Sequence, residues 1–474
     1  MLFTSAVFLV FLPVVFLVYW FLQRWSLRWQ NAWIVVASYV FYGWWDWRYL
    51  GLLFISSFTD YWLGLYIDGC EDPRKRKRAL VLSLVFNLGI LGFFKYYGFF
   101  VEEVAELLRS FGMQPNVWSL KVILPVGVSF YTFQSLSYTI EAYRRNFKPE
   151  RDPIAYLAFV SFFPHMVAGP IMRAVDLLPQ FTRPRRFDTA AACDGLRQAL
   201  WGAFKKIVIA DTCAPVVDRI FGADPSTTPG LVLLCGAILF AFQIYGDFSG
   251  YSDIAIGVAR LFGINLMQNF KTPYFSRSIG DFWRRWHISL SSWFRDFLYI
   301  PLGGGQVTLP RKVLNIMITF LVSGLWHGAN WTFIAWGGLH GLFYVPEVVS
   351  GAQSPRTRPE FAHLPRIIGV FLLVVLAWVF FRSHTIAEAV SYLHYLVLRS
   401  FTHPGPVFGS VPGSVVLSIG VLLVIEWWRR DFRHPLEDMA LPTYVRWAIY
   451  LVLLTAIALQ GDPTVSNQFI YFQF

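Results

Sequence analysis

Charge is scarce in this chain. Only 15% of its 474 residues are Asp, Glu, Lys or Arg, against roughly a quarter in an ordinary soluble protein. A water-facing exterior needs charge to stay dissolved, so a soluble globular fold is excluded. Cysteine is scarce as well. Cys70, Cys193, Cys213 and Cys235 form no CxxC pair, which leaves neither a zinc site nor a disulfide framework indicated. Also missing are an HExxH pair, a GxSxG elbow, a GxxxxGK[ST] loop and a GxGxxG turn in strand–helix context, and with them most hydrolase and nucleotide chemistries. There is no low-complexity tract, no long linker and no convincing internal repeat, so the inverted-repeat sign of many transporters is lacking.

What is present is apolar: 56% hydrophobic residues, with 46 Phe, 22 Tyr and 20 Trp. That is the composition of an integral membrane protein, for which one membrane domain over 1–474 is the expectation. The net charge of +11 would suggest nucleic acid on a soluble protein. Here the basic residues sit in short loops between apolar runs, where the positive-inside bias and anionic headgroups account for them.

A spanning helix needs about 20 apolar residues. Candidates run near 3–22, 31–47, 49–67, 79–99, 122–142, 229–246, 366–382, 412–428 and 444–460. The first lacks a basic n-region and a cleavage site, and reads as a retained span. Arg74-Lys75-Arg76-Lys77-Arg78 is the best cytoplasmic marker, and Arg144, Arg145, Lys148 and Arg151 fit the same side. The N-terminus is then outside. Segment 101–111, apolar at 101, 104, 105, 108 and 111, predicts an interfacial helix on the outer surface.

Two segments break the pattern. Residues 155–172 are interrupted by Pro164, Gly169 and Pro170, and 315–345 lie between basic stretches. Both are expected to enter the membrane and return as re-entrant or hairpin elements. Broken backbone at that depth survives only where protein or a watery cavity satisfies it, so the centre of the chain is expected to line a cavity.

Polar residues concentrate in 243–340, and ionisable groups at membrane depth are functional candidates by default. His327 is the sharpest. Its imidazole titrates near neutrality and can take a proton from a hydroxyl and return it to a leaving group. The bland alternative is a buried histidine that hydrogen-bonds a carbonyl between helices; beside Asn330 in a broken segment we take the functional reading. His287, in WRRWHISLSSW, reads as helical, with Trp283 and Trp286 on adjoining faces. It is either a second polar group at the reaction centre or part of an interfacial anchor. Arg284, Arg285 and Arg295 either clamp donor phosphates or rest among headgroups. His165 has a cavity-facing reading and a loop reading, and His340 reads as packing. His363, His384, His394, His403 and His434 read as loop or span-end residues. Gly303-Gly304-Gly305 reads as a turn. Asp247 and Asp253, six apart, do not share a helix face, so no metal site is expected.

LPVGVSFYTFQSLSYTIEAYRR (124–145), FFPHMVAGPIMR (162–173), YGDFSGYSDIAIG (245–257), FWRRWHISLSSWFRDFLYIPLGG (282–304), SGLWHGANWTFIAWGGLHG (323–341) and the closing FIYFQF (469–474) resemble the membrane-bound O-acyltransferases. The nearest branch is the bacterial membrane subunits that acetylate alginate or cellulose; its alginate members are expected to extend further at the C-terminus. The resemblance implies an all-α polytopic fold, a ring of about 9–12 transmembrane helices with re-entrant segments around a central tunnel. It implies an O-acyltransferase of the bacterial inner membrane, with no permanently bound cofactor and acetyl-CoA or another acyl thioester as donor. A periplasmic acetyltransferase or carrier would receive the acyl group on its way to an exported polysaccharide. The family's histidine falls on His327 and its second motif position on His287. Asn330, Trp326, Arg284, Arg285, Ser291 and Asp253 are the expected substrate-binding residues. The enzyme reading requires the His327 ring to reach a water-accessible passage. A transporter of lipid-linked sugar or acyl donor, and a non-catalytic scaffold for polysaccharide secretion, are the competing classes.

Overall fold

The computed structural model describes residues 1–114, 124–167, 169–352, 357–406, 409–461 and 469–470. Among these residues the chain is all-α, with no β-strand. It divides into two compact units, one of Met1–Leu196 with Ala255–Met267, the other of Arg197–Ile254 with Gln268–Phe474.

The first unit opens with α1 (Ala6–Leu22), α2 (Leu27–Asp46) and α3 (Leu50–Gly69). Ser5 and Ser26 cap the first two through the N–H groups of Phe8 and Trp29, supplying acceptors for otherwise unpaired donors. Then α4 (Pro73–Ser110), started by the Asp72 cap and Pro73, runs unbroken for 38 residues. The expected interfacial helix at 101–111 is therefore not a separate element but the last turns of α4. The acids there, Glu102, Glu103 and Glu106, are good helix formers, and nothing after Gly98 interrupts the ladder. The fifth expected span starts late, as α5 (Val128–Tyr143) behind a left-handed Gly127; residues 122–123 of that expectation lie outside the described residues.

The break expected within 155–172 is present. After α6 (Pro153–Ser161) only a single turn, Phe163–Met166, follows. Its freed backbone is satisfied by protein: the Phe163 N–H donates to Ser38 Oγ (3.1 Å), and Gln134 Nε2 donates to the Phe159 carbonyl (3.0 Å). His165 Nε2 meets Gln134 Oε1 at 2.7 Å, tying this turn to α5. Deeper in this unit the buried Asp60 carboxylate accepts from Ser83 Oγ (2.6 Å) and Asn87 Nδ2 (2.8 Å), joining α3 to α4.

The second unit begins in α7 (Thr189–Ala203), which widens into a π-helical stretch, Phe204–Ala210, before α8 (Asp211–Phe221). The span expected at 229–246 continues to residue 261 as α9 (Gly230–Leu261). Two short helices, α10 (Ile279–Trp283) and α11 (Ile288–Phe294), precede α12 (Leu309–His327) and α13 (Trp331–Val349). The segment expected to turn back on itself is thus a helical hairpin. α14 (Leu364–Arg382), α15 (Ile386–Thr402), α16 (Gly413–Trp428) and α17 (Thr443–Gln460) complete the unit.

Helical stretches within Leu27–Gly69, Pro73–Ser110, Gly230–Leu261, Phe361–Arg382 and Thr443–Gln460 are long and apolar enough to cross a membrane, and Ala6–Leu22 and Gly413–Trp428 are shorter apolar helices. Their outer faces leave Leu9, Val10 and Leu17 of α1 and Leu417 and Val424 of α16 exposed. Contiguous exposed apolar faces suit lipid and not water. This is a multi-pass membrane protein.

Candidate active site

The sequence-predicted site residues all belong to the second unit. His327 is the last residue of α12. The helix stops there because Gly328 is extended and Asn330 starts α13, its Oδ1 accepting the Thr332 N–H at 2.9 Å. Asn330 Nδ2 donates to the His384 carbonyl (2.8 Å). Both ends of this amide are engaged, so Asn330 shapes the turn that presents His327. The hairpin itself is held by glycine: a methyl on Gly324 would overlap the Phe333 carbonyl, and one on Gly337 the Phe320 carbonyl.

The His327 ring is only 3% exposed. Trp326, Trp336 and Phe381 surround it edge-to-face, with centroids at 5.0, 4.9 and 5.4 Å. The expectation that this ring reaches a water-accessible passage is not met among the described residues: aromatic side chains enclose it instead.

His287 departs from expectation. The segment 283–287 is not a helix that sets Trp283, Trp286 and His287 on adjoining faces: His287 is left-handed (φ 43°, ψ 55°), between α10 and α11. The cause lies upstream in Asn269. Its Oδ1 faces His287 Nδ1 (3.1 Å) and accepts from Ser289 N (3.2 Å) and Oγ (2.9 Å), while its carbonyl accepts the Ile288 N–H (2.9 Å). Lys271 N–H donates to the Arg285 carbonyl (2.9 Å). These bonds replace the helical ladder and hold a conformation that is costly for a residue with a Cβ. The His287 ring is fully buried, with Phe248 edge-on at 4.6 Å. Trp326 lies 6.1 Å from it and 5.0 Å from His327. One indole therefore joins the two histidines that sequence singled out.

The remaining candidates divide. Arg284 and Arg285 both reach Asp281 Oδ1, at 3.3 and 2.9 Å, and Arg284 is the more exposed, 42% against 12%. Arg295 pairs with Asp296 (2.6 Å). Ser291 Oγ donates to the Trp286 carbonyl (3.3 Å), a local bond beside the His287 turn. Asp253 accepts from Lys205 Nζ (2.6 Å) and Gln198 Nε2 (2.7 Å), and lines a polar cleft with Lys205, Tyr245, Gln268, Lys271 and Glu426.

Sequence reasoning missed the lysines. Lys206 Nζ is 2.7 Å from both Asp247 and Asp211, and Glu426 accepts from the Tyr245 hydroxyl (2.6 Å). Asp247 and Asp253, which share no helix face, meet consecutive lysines because the π-helical stretch directs both inward. Two adjacent lysines inside the apolar run LWGAFKKIVIA (200–210) were the available signal.

Comparison with known proteins places the chain in a family. Residues 116–393 match the membrane-bound O-acyltransferase family. The "Probable alginate O-acetylase AlgI" of Pseudomonas aeruginosa is 40% identical over 93% of this chain and 84% of its own length. The protein of the same name from Pseudomonas fluorescens is 40% identical over 100% of both. The "Peptidoglycan O-acetyltransferase" of Helicobacter pylori is 37% identical over 84% of this chain and 80% of its own.

Proposed function

The chain belongs to the membrane-bound O-acyltransferase family, and from that premise we propose that it moves an acetyl group from a cytoplasmic thioester across the membrane toward an exported polysaccharide. That it is an O-acyltransferase follows from the family and its O-acetyltransferase relatives. The proposal adds the donor, acetyl-CoA or a related thioester, and a periplasmic partner protein as the receiver. Alginate is the polymer in the names of the Pseudomonas relatives, and cellulose is the second candidate acceptor.

The observation that supports the reading is that His287 and His327 both pack against Trp326; the aromatic walls around His327 have to open for substrates to reach it. In the proposed step a ring nitrogen of His327 removes the proton from an acceptor hydroxyl. That oxygen bonds to the thioester carbonyl carbon, the carbon–sulfur bond breaks, and the leaving thiolate takes the proton back from the imidazolium. His287, fixed by Asn269, orients the acceptor or donor beside it. Trp326 separates and packs the two rings. Arg284, the more exposed of the arginine pair, meets the donor's phosphates, with Arg285 behind it. Ser291 and Asn330 hold the two turns, and Asp253 with Lys205 sets the polar cleft.

His327→Ala, expressed at wild-type level in membranes, should lose polymer acetylation by about a hundredfold or more. Acetylation at the wild-type level in that variant would remove His327 from the chemistry, and a transporter or scaffold would then be the better reading. His287→Ala should lose less.

A further inference from the structure

A neutral imidazole holds its proton on one ring nitrogen and a lone pair on the other, and the partner of either nitrogen decides which. His287 is fully buried, which disfavours its charged form. Asn269 then settles where the single proton sits. Its Oδ1 lies 3.2 Å from the Ser289 N–H, a group that can only donate. That contact orients the amide: the oxygen faces Ser289, and Nδ2 donates instead to Ser252 Oγ on α9 at 3.3 Å. Turning the amide over would set two donors against each other at Ser289. His287 Nδ1 lies 3.1 Å from the same oxygen, which accepts and never donates. A bond there requires the proton on Nδ1. The Ser289 hydroxyl, 3.4 Å from Nδ1, gives its own proton to Asn269 Oδ1 at 2.9 Å, so it does not reverse the assignment. Asn269, Ser252 and Ser289 are buried as well, where such bonds are stronger than in water.

The ring plane is held by its aromatic neighbours, Phe248 edge-on at 4.6 Å and Phe270 near-parallel at 6.3 Å. Phe248 and Ser252 stand one turn apart on α9, so one helix supports both the ring and the amide that orders its proton. The consequence is chemical. A thioester group has only accepting atoms, its carbonyl oxygen and its sulfur, so polarising it takes an N–H donor. A hydroxyl or an amide N–H has a proton to give. We propose that Asn269 is a positioning residue that holds His287 in the Nδ1–H form with the lone pair on Nε2, so that His287 accepts a hydrogen bond from an O–H or N–H group of a substrate and does not polarise the thioester carbonyl. This rests on the proposed acyl-transfer function of the same site. Access to Nε2 needs the same opening of the aromatic walls as access to His327, since Trp326 packs against both rings.

The test uses full-length protein in lipid nanodiscs, carrying histidine labelled with heavy nitrogen, whose ring resonances distinguish Nδ1–H from Nε2–H. The His287 signals are assigned by their loss in His287→Asn, and spectra are taken with and without acetyl-CoA. The wild type should show the proton on Nδ1 in both states; an Nε2–H signal in either overturns the proposal, and this measurement needs no change at Asn269. Free histidine in water favours the proton on Nε2. Asn269→Ala should therefore move His287 toward that form and cut kcat for transfer from acetyl-CoA to a periplasmic fraction about tenfold or more. Asn269→Asp keeps an accepting oxygen and should keep the Nδ1 proton. Asn269→Ala with an unchanged His287 signal or a wild-type kcat, or Asn269→Asp without the Nδ1 proton, overturns the proposal. His327→Ala is run alongside for activity. Transfer that persists without His327 sinks the proposed function itself, whereas Nε2–H at His287 in an enzyme that needs His327 sinks only the role given to Asn269.

Discussion

Lys206 shows what a single side chain contributes here. Its ammonium is 2% exposed, as is its partner Asp247, and Asp211 supplies a second carboxylate at 2.7 Å. Removing one member of a buried pair leaves the other charge uncompensated, at a cost of about 3–5 kcal/mol. Lys206→Ala should therefore lower the thermal midpoint in detergent by many degrees. Arg48→Ala, which breaks the exposed pair with Asp46, should leave it unchanged. Equal midpoints for the two variants would contradict the assignment of a structural ion cluster. At this scale the sequence was legible wherever an ionisable group stood alone in an apolar run, as His327 does. It was not legible for Lys205 and Lys206, because adjacent basic residues ordinarily mark a loop. Only the π-helical turn and the carboxylates of α9, some forty residues away, reveal their burial. Nor could it show that the amide of Asn330 is consumed by capping.

The α12–α13 hairpin is the element on which the site depends. Gly337 faces the Phe320 carbonyl so closely that a methyl group cannot be accommodated, whereas a methyl on neighbouring Gly338 would meet only the Leu321 side chain at 3.5 Å. Gly337→Ala should separate the helices, displace His327 and reduce both activity and the yield of monodisperse protein. Gly338→Ala should behave like wild type in both assays. The reverse ranking would contradict the hairpin register. Apolar runs announced most of the spanning helices, since lipid demands that each backbone be satisfied within its own helix. Two boundaries were not readable. α4 continues from 101 to Ser110 because no residue in that stretch stops it, and the helix expected through His287 is broken by Asn269, eighteen residues earlier in the chain. WRRWHISLSSW contains neither Pro nor Gly, so no local signal marks that break.

For the whole molecule, the basic cluster Arg74–Arg78 sets a testable orientation, with the start of α4 in the cytoplasm. Cys70 sits just before that cluster and is partly exposed. In a Cys193→Ser, Cys235→Ser background, a membrane-impermeant maleimide should label Cys70 only after spheroplasts are opened. Labelling of intact spheroplasts would invert the topology and place the proposed donor on the wrong side. The central claim is that an acyl group crosses the membrane by way of His327. Its most direct test places purified protein in lipid vesicles, with labelled acetyl-CoA on the cytoplasmic side and a periplasmic fraction on the other. The account predicts that labelled acyl groups appear on a protein or polysaccharide across the bilayer, and that His327→Ala reduces the rate about a hundredfold or more. Equal transfer by the wild type and the His327→Ala variant would contradict it.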